Sequence, residues 1–448
     1  MNLIIHSASQ LITVAGDAPK RGAAQGELGI IENGAVAIRD ETIAAVGATD
    51  EIRALATRDT QFLDARGCVV LPGFVDAHTH VVFAGDRANE FEMRLRGATY
   101  LELLKAGGGI MNTVRASRAA PLEQIISETR ARLDRMLAYG TTTVEAKTGY
   151  GLDTATELKL LQAIARLDAE HAIDLVPTFI GAHAIPEEYK GRADEFVDLV
   201  VNEMLPAIKN AASEKPKVEN VPVQSPIRHP NSEIFCDVFC DEGAFTLDQA
   251  RRILERARAL GFALKIHADE FANLGGAALA AELRAVSADH LMVTQRAEMK
   301  KMADANVIAV LLPGTTFGLG KTDFANGRAF VEENVPVALG SDMNPGTSWC
   351  ESMPMVMAIA TRYEKLTTAE AIVAATLNAA YASGVGDRVG SLQPGKLADV
   401  ALTDVPDYRY LAYRYGTNPI RTVVKRGRIV AQDQALIADE IMRGGANV

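Results

Sequence analysis

Two histidines spaced two residues apart have the clearest chemical potential in this sequence. His78 and His80 follow an apolar run, Cys68–Val75, that contains a Pro-Gly pair. The run predicts a buried β-strand, and residues two apart on a strand face the same side. Two imidazoles on one side, at the end of a buried strand, would supply half of a metal site. Alone, the pair is a weak signal, and two surface histidines in a loop are the favoured alternative.

The other histidines extend this pattern. The chain contains eight histidines. Five of them lie at or just after predicted strands: His78, His80, His183, His267 and His290. Random placement would scatter them, so this enrichment predicts that they converge. Asp342 ends the last predicted strand and alternatively caps a turn or helix. We predict a metal set of three imidazoles and one carboxylate, suited to zinc, iron or manganese: His78, His80, His267 and Asp342.

Three residues near this set are predicted to be catalytic. A metal ion would lower the pKa of its water toward about 7, and hydrolysis then needs a proton carrier and a charge stabiliser. Glu270, three residues after His267, is predicted to shuttle a proton or to accept a hydrogen bond from a ring N–H. His290 is predicted to polarise the attacked oxygen or pass a proton. Asp342 is predicted to accept the proton of the water. The alternatives are a surface carboxylate for Glu270 and a buried structural histidine for His290.

Two loop residues suggest a small anionic substrate. Arg87 follows the first predicted barrel strand, where an arginine can hold a substrate carboxylate through two parallel hydrogen bonds. A structural ion pair with Asp86 or Glu90 is the alternative. Tyr150 follows the second strand and offers a hydroxyl and a ring face. Glycines on both sides of Tyr150 indicate a sharply bent backbone.

Strand and helix patterns alternate through the middle of the chain, which predicts a (β/α)8 barrel with its chemistry at the carboxyl ends of the strands. Both chain ends are rich in short strand patterns and turns. We predict a composite β-sandwich domain from residues 1–66 and 392–448, with the barrel spanning 67–391. The predicted barrel strands are Val69–Val75, Thr142–Ala146, Asp174–Ile180, Cys236–Cys240, Ala263–His267, Ala285–Asp289, Val307–Leu312 and Val335–Gly340.

Composition excludes several classes of function. A hydrophobic fraction of 48% with 23% charged residues is typical of a globular protein. The net charge of −11 argues against nucleic-acid or anionic-membrane partners. Four cysteines without a Cys-x-x-Cys pair, no signal peptide and no ~20-residue apolar run predict a soluble cytoplasmic protein. Lys209–Ser232, rich in polar residues and proline, is predicted to be a surface loop.

Several stretches together resemble the metal-dependent amidohydrolase superfamily, over nearly the whole chain. Within it, they are similar to the enzymes that hydrolyse 4-imidazolone-5-propanoate. The specific stretches are Asp76–His80, Gly85–Phe91, Lys105–Ile110, Glu145–Leu152, His267–Phe271 and Ser341–Gly346. The ending Gly390–Asp399 is shared more broadly and indicates fold rather than substrate. The resemblance implies the barrel with a β-sandwich, lactam hydrolysis in histidine degradation, one zinc or iron ion per chain, and a homodimer.

The resemblance also implies site residues. The metal ligands carry over onto the four residues already predicted. The implied substrate contacts are Arg87, Tyr100, Tyr150, His183 and Glu270. The implied product-side contacts are Asn344, Gly346 and Thr347. This family dispenses with the carboxylated lysine that bridges two metals in related enzymes. Lys147 is predicted to lie beyond the end of the second strand, so we predict a single metal ion.

Two departures from the family pattern and two alternative functions accompany this interpretation. The segment Lys209–Ser232 is longer than the usual connection, and Thr148 stands where serine is more usual. A deaminase or another cyclic amidohydrolase acting on a different small ring is one alternative, against which Arg87 favours an anionic substrate. A metal-free scaffold on the same fold is the other, and it would predict a broken ligand set.

Overall fold

A computed structural model describes residues 1–98, 102, 107–213 and 234–437. The predicted substrate contact Tyr100 therefore lies outside the described residues, as do residues 214–232 of the predicted loop. Lys209–Ser213, the start of that loop, are instead the end of a helix, Leu205–Ser213. The prediction was wrong for these five residues, because Leu205–Ala212 carries an apolar face that packs on the core.

The described chain folds into two β-sheets and the helices that cover one of them. Its strands are β1 (Leu3–Ile12), β2 (Ile30–Arg39), β3 (Thr42–Ala48), β4 (Gln61–Asp64), β5 (Val69–Pro72), β6 (Phe74–Asp76), β7 (Thr141–Lys147), β8 (Asp174–Ala182), β9 (Phe235–Cys240), β10 (Ala263–Ala268), β11 (Ser287–His290), β12 (Ile308–Leu311), β13 (Val337–Leu339), β14 (Val400–Thr403), β15 (Ile420–Lys425), β16 (Arg428–Gln432) and β17 (Ala435–Leu436).

Helices occupy most of the connections between the barrel strands. The α-helices are Thr49–Arg53, Ala88–Leu95, Ile110–Ala119, Leu122–Ala138, Thr154–Glu170, Ala193–Leu199, Leu205–Ser213, Leu247–Ala259, Gly276–Leu283, Arg296–Ala305, Pro313–Gly318, Gly327–Glu332, Met353–Ile359, Thr368–Ala374, Leu377–Ala382 and Tyr410–Tyr413. Short 3₁₀ segments are Gly22–Gly26 and Glu187–Tyr189, and π-helical turns are Val200–Met204 and Ala360–Glu364. No helix in the described part of the chain is long and apolar enough to cross a membrane.

Strands β6 to β13 form one sheet in sequence order, and every adjacent pair is parallel. The sheet closes between its first and last strands just beyond their ends. The amide of His80 donates to the carbonyl of Met343 at 2.9 Å, and the amide of Asp342 donates to the carbonyl of His78 at 2.9 Å. The (β/α)8 barrel predicted from the alternating pattern is confirmed, and its closure brings the first and last strand ends together.

The second sheet joins both ends of the chain. Its order is β17-β16-β15-β14-β5-β1-β2-β3, with β4 paired to β1. Antiparallel pairing of β14 with β5 and parallel pairing of β5 with β1 link the carboxyl-terminal strands to the amino-terminal ones. The predicted sheet structure formed from both ends is therefore confirmed.

The first predicted barrel strand, Val69–Val75, is in fact two strands. Residues of β5 belong to the terminal sheet, and only β6 belongs to the barrel. The break is at Gly73, whose amide donates to the carbonyl of Asp399 and whose missing side chain lets Thr142 pack against it. The preceding Pro72 has no N–H for a sheet ladder, so the chain changes sheets here. His78 and His80 thus follow a short barrel strand rather than a long one.

The barrel interior beneath the carboxyl ends of the strands is charged. Strand periodicity of two directs Glu145 and Lys147 of β7 to one side, and Lys265 of β10 to the same interior. Asp237 of β9 and Asp289 of β11 complete the group, and all five side chains are fully buried. These charges form the floor on which the predicted site lies.

Candidate metal centre and substrate pocket

Three imidazoles and one carboxylate converge where the barrel closes. The Nε2 atoms of His80 and His267 are 3.2 Å apart. The Oδ1 atom of Asp342 lies 3.6 Å from Nε2 of His78 and 3.7 Å from Nε2 of His80. All four side chains are buried. The structure therefore brings together the predicted ligands, which lie on β10 and just after β6 and β13.

The contacts of the ring nitrogens indicate that this cluster fits a cation. Nδ1 of His78 lies 2.6 Å from a carboxylate oxygen of Asp289, and Nδ1 of His267 lies 2.9 Å from one of Asp237. A carboxylate accepts a proton, so His78 carries its hydrogen on Nδ1 and presents a lone pair on Nε2. Nδ1 of His267 is close to its carboxylate but lacks hydrogen-bond geometry. Nε2 of His78 is buried with no hydrogen-bond partner. Lone pairs converging with the carboxylate of Asp342 form a donor set that a divalent metal would satisfy.

Asp237 and Asp289, which the sequence reasoning missed, lie against the rings of two predicted ligands, His267 and His78. Carboxylates in such positions set both the tautomer and the basicity of a metal-binding histidine. Their signal in the sequence was an acidic residue within an otherwise apolar strand, as in Phe235–Cys240. The partner of each could not be read there, because His78 and Asp289 are 211 residues apart.

Lys147 lies beneath the ligands, and its predicted position was wrong. It is the last residue of β7 rather than a residue beyond it. Its Nζ atom is 2.7 Å from Asp237, 2.9 Å from Glu145 and 3.6 Å from Asp289. Burial alone would lower the pKa of Lys147, but these carboxylates raise it above its ordinary value. The geometry around Lys147 is therefore that of an ion-pair partner for carboxylates beneath the predicted ligands.

Replacing Lys147 by methionine is expected to weaken metal binding about 10- to 100-fold, as loss of an outer-layer partner does. The change leaves Asp237 and Asp289 repelling each other and misorients both rings. Chelator competition at equilibrium measures the metal dissociation constant without reference to activity. The matched control is Lys396→Met, which removes a buried lysine whose Nζ bonds carbonyls far from this cluster. Equal metal affinity in the two variants would contradict the supporting role of Lys147.

Asp342 has an unusual backbone conformation, and one of its carboxylate oxygens is hydrogen-bonded. Its backbone φ is +49°, an unusual conformation that closure of the barrel maintains. Its Oδ2 atom accepts a hydrogen bond from the hydroxyl of Thr315, a residue that carries no sequence signal. Burial raises the pKa of Asp342 to about 6, against the opposing effect of Thr315. One oxygen is thus anchored, while Oδ1 faces the imidazoles.

Glu270 and His290, predicted separately as catalytic residues, lie together beside the predicted ligands. Nδ1 of His290 is 3.6 Å from a carboxylate oxygen of Glu270. Burial, with the nearby Asp342 charge, raises the pKa of Glu270 to about 8. Burial also lowers the pKa of His290 well below its usual value, so its ring is neutral. Glu270 is held through its backbone, because Asp241 accepts amide hydrogens from residues 270–272 at 2.7–3.0 Å.

Arg87 lies at the rim of the site, and its predicted structural alternative is also present. Its Nε donates to Glu90 at 2.8 Å. Glu90 also accepts a hydrogen bond from the amide of Gly109 at 3.0 Å. Because the Glu90 carboxylate is fixed in this way, it orients the guanidinium of Arg87. The terminal nitrogens of Arg87 lie against the Cα of Gly346, where any side chain on residue 346 would collide with them. The ion pair with Glu90 engages Nε of Arg87. The two terminal nitrogens of Arg87 then remain as the fork that could bind a carboxylate.

Asn344, Gly346 and Thr347 form one turn after β13. Oδ1 of Asn344 accepts from the amides of Gly346 and Thr347 at 2.8 and 2.9 Å, and its Nδ2 donates to the carbonyl of Asp342 at 2.7 Å. The Asn344 amide is thus engaged within its own turn. Its contact with product stays a prediction.

The rings of Tyr150 and His183 lie beside the ring of His80. The His183 ring stacks on His80 with centroids 4.5 Å apart and an interplanar angle of 11°. The Tyr150 ring lies 5.4 Å from that of His183 and 5.8 Å from that of His80. Both side chains belong to loops at the carboxyl ends of β7 and β8. The structure thus brings Tyr150 and His183 beside the predicted ligand His80.

Comparison with known proteins finds one matching family model and relatives that share one name. The model of the amidohydrolase family matches residues 69–430. The imidazolonepropionase of Herpetosiphon aurantiacus is 50% identical over 433 residues, covering 95% of this chain and 98% of that protein. The imidazolonepropionase of Chloroflexus aggregans is 48% identical, covering 97% and 99%. That of Geobacillus kaustophilus is 47% identical, covering 96% and 98%.

Solved structures of similar fold are more distant. An adenosine deaminase from Xanthomonas campestris with bound zinc has a TM-score of 0.67 at 20% identity, covering 97% of this chain and 94% of that one. The guanine deaminase of E. coli has a TM-score of 0.65 at 16% identity, covering 96% and 100%. A triazine hydrolase variant has a TM-score of 0.70 at 18% identity, covering 97% and 96%. At these identities the likeness supports the fold alone.

Proposed function

This chain belongs to the amidohydrolase family, and on that premise we propose that it hydrolyses the lactam of 4-imidazolone-5-propanoate to N-formimino-L-glutamate in histidine degradation. Relatives named imidazolonepropionase are 44–50% identical over nearly the whole chain. The single observation that carries the substrate assignment is the guanidinium of Arg87 against Gly346, four residues beyond the predicted ligand Asp342. A metal set beside an arginine fork suits a small ring that carries a carboxylate.

We propose one zinc or iron ion per chain, held by the four predicted ligands. The family is metal-dependent, and a related fold contains zinc. The ion, when bound, lowers the pKa of water and polarises a carbonyl oxygen. The ammonium of Lys147 supports a single site, because it supplies the positive charge beneath the ligand-orienting carboxylates.

The residues of the chain then divide the remaining work. Arg87 holds the propionate, and His183 and Tyr150 hold the ring. Asp342 accepts a proton from water, and His290 stabilises the charge that develops on the attacked carbonyl oxygen. Glu270 delivers a proton to the departing ring nitrogen. Water thereby adds across the C–N bond, with its oxygen on the carbonyl carbon and its hydrogen on nitrogen.

The direct test is ultraviolet loss of imidazolonepropionate, measured with and without chelator. We expect turnover by the metal-loaded chain, loss of turnover after chelation, and recovery when zinc or iron is returned. Guanine and adenosine serve as control substrates. Turnover of either ring with none of imidazolonepropionate would contradict the proposal and support a deaminase. Unchanged turnover after complete metal removal would contradict the metal assignment.

The family resemblance further supports a cytoplasmic homodimer. Light scattering on the purified chain would show twice the mass of one chain if the dimer forms. A mass equal to one chain across micromolar concentrations would contradict it.

A further inference from the structure

The loop that carries Tyr150 is held by a carboxylate that no assigned role explains. Glu157 lies on the helix Thr154–Glu170, and its side chain is fully buried. Its Oε2 accepts the amide hydrogen of Gly149 at 3.0 Å. Its Oε1 accepts those of Gly151 and Leu152 at 2.8 and 2.9 Å. One carboxylate thus collects three amides from four consecutive residues.

We propose that Glu157 is a positioning residue for substrate recognition, which fixes the Gly149 peptide and through it the His183 ring. This inference rests on the proposed function, because it takes His183 and Tyr150 as the groups that hold the substrate ring. Glu157 itself does not touch the substrate. It acts through one residue, Gly149, whose N–H donates to Glu157 and whose carbonyl oxygen accepts from the histidine.

The link from Gly149 to His183 determines the tautomer of that histidine. Nδ1 of His183 lies 3.1 Å from the carbonyl oxygen of Gly149. A carbonyl oxygen only accepts, so Nδ1 carries the hydrogen and Nε2 of the neutral ring presents a lone pair. That lone pair accepts a hydrogen bond from a ring N–H, which an imidazolone offers. A shift of the Gly149 backbone would therefore shift Nε2 of His183, the proposed acceptor for the substrate N–H.

The backbone at Gly149 has little freedom to compensate. Its φ is +94°, and a Cβ there would lie 2.6 Å from Cγ2 and 2.8 Å from the carbonyl oxygen of Ile180. The peptide is therefore confined between β8 on one side and Glu157 on the other. On the outer side of the loop, Arg118 donates to the carbonyl oxygens of Gly151 and Leu152 at 2.7 and 3.3 Å. Both polar edges of the loop are thus bound.

Helix capping does not account for Glu157. The helix has its own N-cap in Asp153, whose side chain accepts the amide of Thr156 at 2.7 Å. The Glu157 backbone amide is satisfied by the carbonyl of Asp153 at 3.0 Å. The buried carboxylate is thus directed entirely at the Tyr150 loop.

Glu157→Gln is the test, because it keeps the size of the side chain but replaces one acceptor oxygen by an NH₂ group that opposes an amide N–H. We expect KM for imidazolonepropionate to rise roughly 10- to 100-fold, kcat to change much less, and metal content to stay at the wild-type value. Nitrogen-15 NMR of the imidazoles is expected to show that His183 loses its single Nδ1–H tautomer.

Asp168→Asn is the matched control. Asp168 is a buried carboxylate on the same helix that accepts the amide of Leu175 at 2.8 Å, near the amino end of β8 and away from the site. It is expected to lower the melting temperature without changing KM. Unchanged KM in Glu157→Gln, or an equal rise in both variants, would overturn the proposal.

Two further measurements keep the proposal testable. If Glu157→Gln does not fold, Arg118→Met decides, since it frees the carbonyl edge of the same loop. A rise in KM supports the inference, and an unchanged KM overturns it. If the wild-type chain does not turn over imidazolonepropionate, the proposed function fails instead. The tautomer of His183 in Glu157→Gln, read without substrate, then tests the positioning role alone.

Discussion

Replacing His290 by alanine is expected to lower kcat roughly 10²- to 10³-fold, the usual cost of losing one preorganised donor to an oxyanion. His290 is neutral and buried, with its ring 5.1 Å from that of His267, the predicted ligand. Its φ of +75° is an unusual conformation, maintained where β11 ends beside the site. Steady-state kinetics on metal-loaded protein measure the effect.

Metal analysis of His290→Ala separates two roles. His290 also forms a possible ligand group with His78 and His267. Full metal content with low kcat supports charge stabilisation, whereas loss of metal would make His290 a ligand. His171→Ala is the matched control, since it removes a buried histidine that bonds Asp134 and the amide of Ile173 away from the site. Near-normal turnover in His290→Ala would remove His290 from the mechanism.

Replacing Arg87 by lysine is expected to raise KM roughly 10- to 100-fold with a smaller change in kcat, because a charged hydrogen bond and the bidentate fork are lost while the positive charge stays. Glu90 binds only Nε, so the terminal nitrogens supply the fork. The measurement is the dependence of initial rate on imidazolonepropionate concentration.

Two comparison variants sharpen this result. Arg96→Lys, at the other end of the helix Ala88–Leu95 and paired with exposed Glu92, is expected to leave KM unchanged. Glu90→Gln keeps Arg87 but weakens its orientation, so an intermediate KM is expected. If Arg87→Lys binds substrate as well as the wild type, the ion pair with Glu90 is the whole role of Arg87, and the deaminase alternative regains strength.

The predicted ligands could be proposed, and their convergence expected, because their signal in the sequence is local. A histidine or aspartate at the end of an apolar strand is visible within about ten residues, and alternating strands and helices imply a common edge for such ends. His78, His80, His267 and Asp342 were identified in this way. The split of Val69–Val75 into two strands was missed, since both halves are apolar and only the identity of the neighbouring strand distinguishes them.

Chain composition and spacing by themselves determined the barrel, the predicted ligand set and the arginine at its rim. The tertiary structure alone decided which groups support them: Asp237 and Asp289 under the rings, Lys147 between those carboxylates, Thr315 on Asp342, and Glu157 under the Gly149 peptide. The physical reason is the range of each interaction. Strand alternation acts between residues two apart, whereas a hydrogen bond across the barrel interior joins residues as much as 211 positions apart, and it exists only once the eight strands have closed.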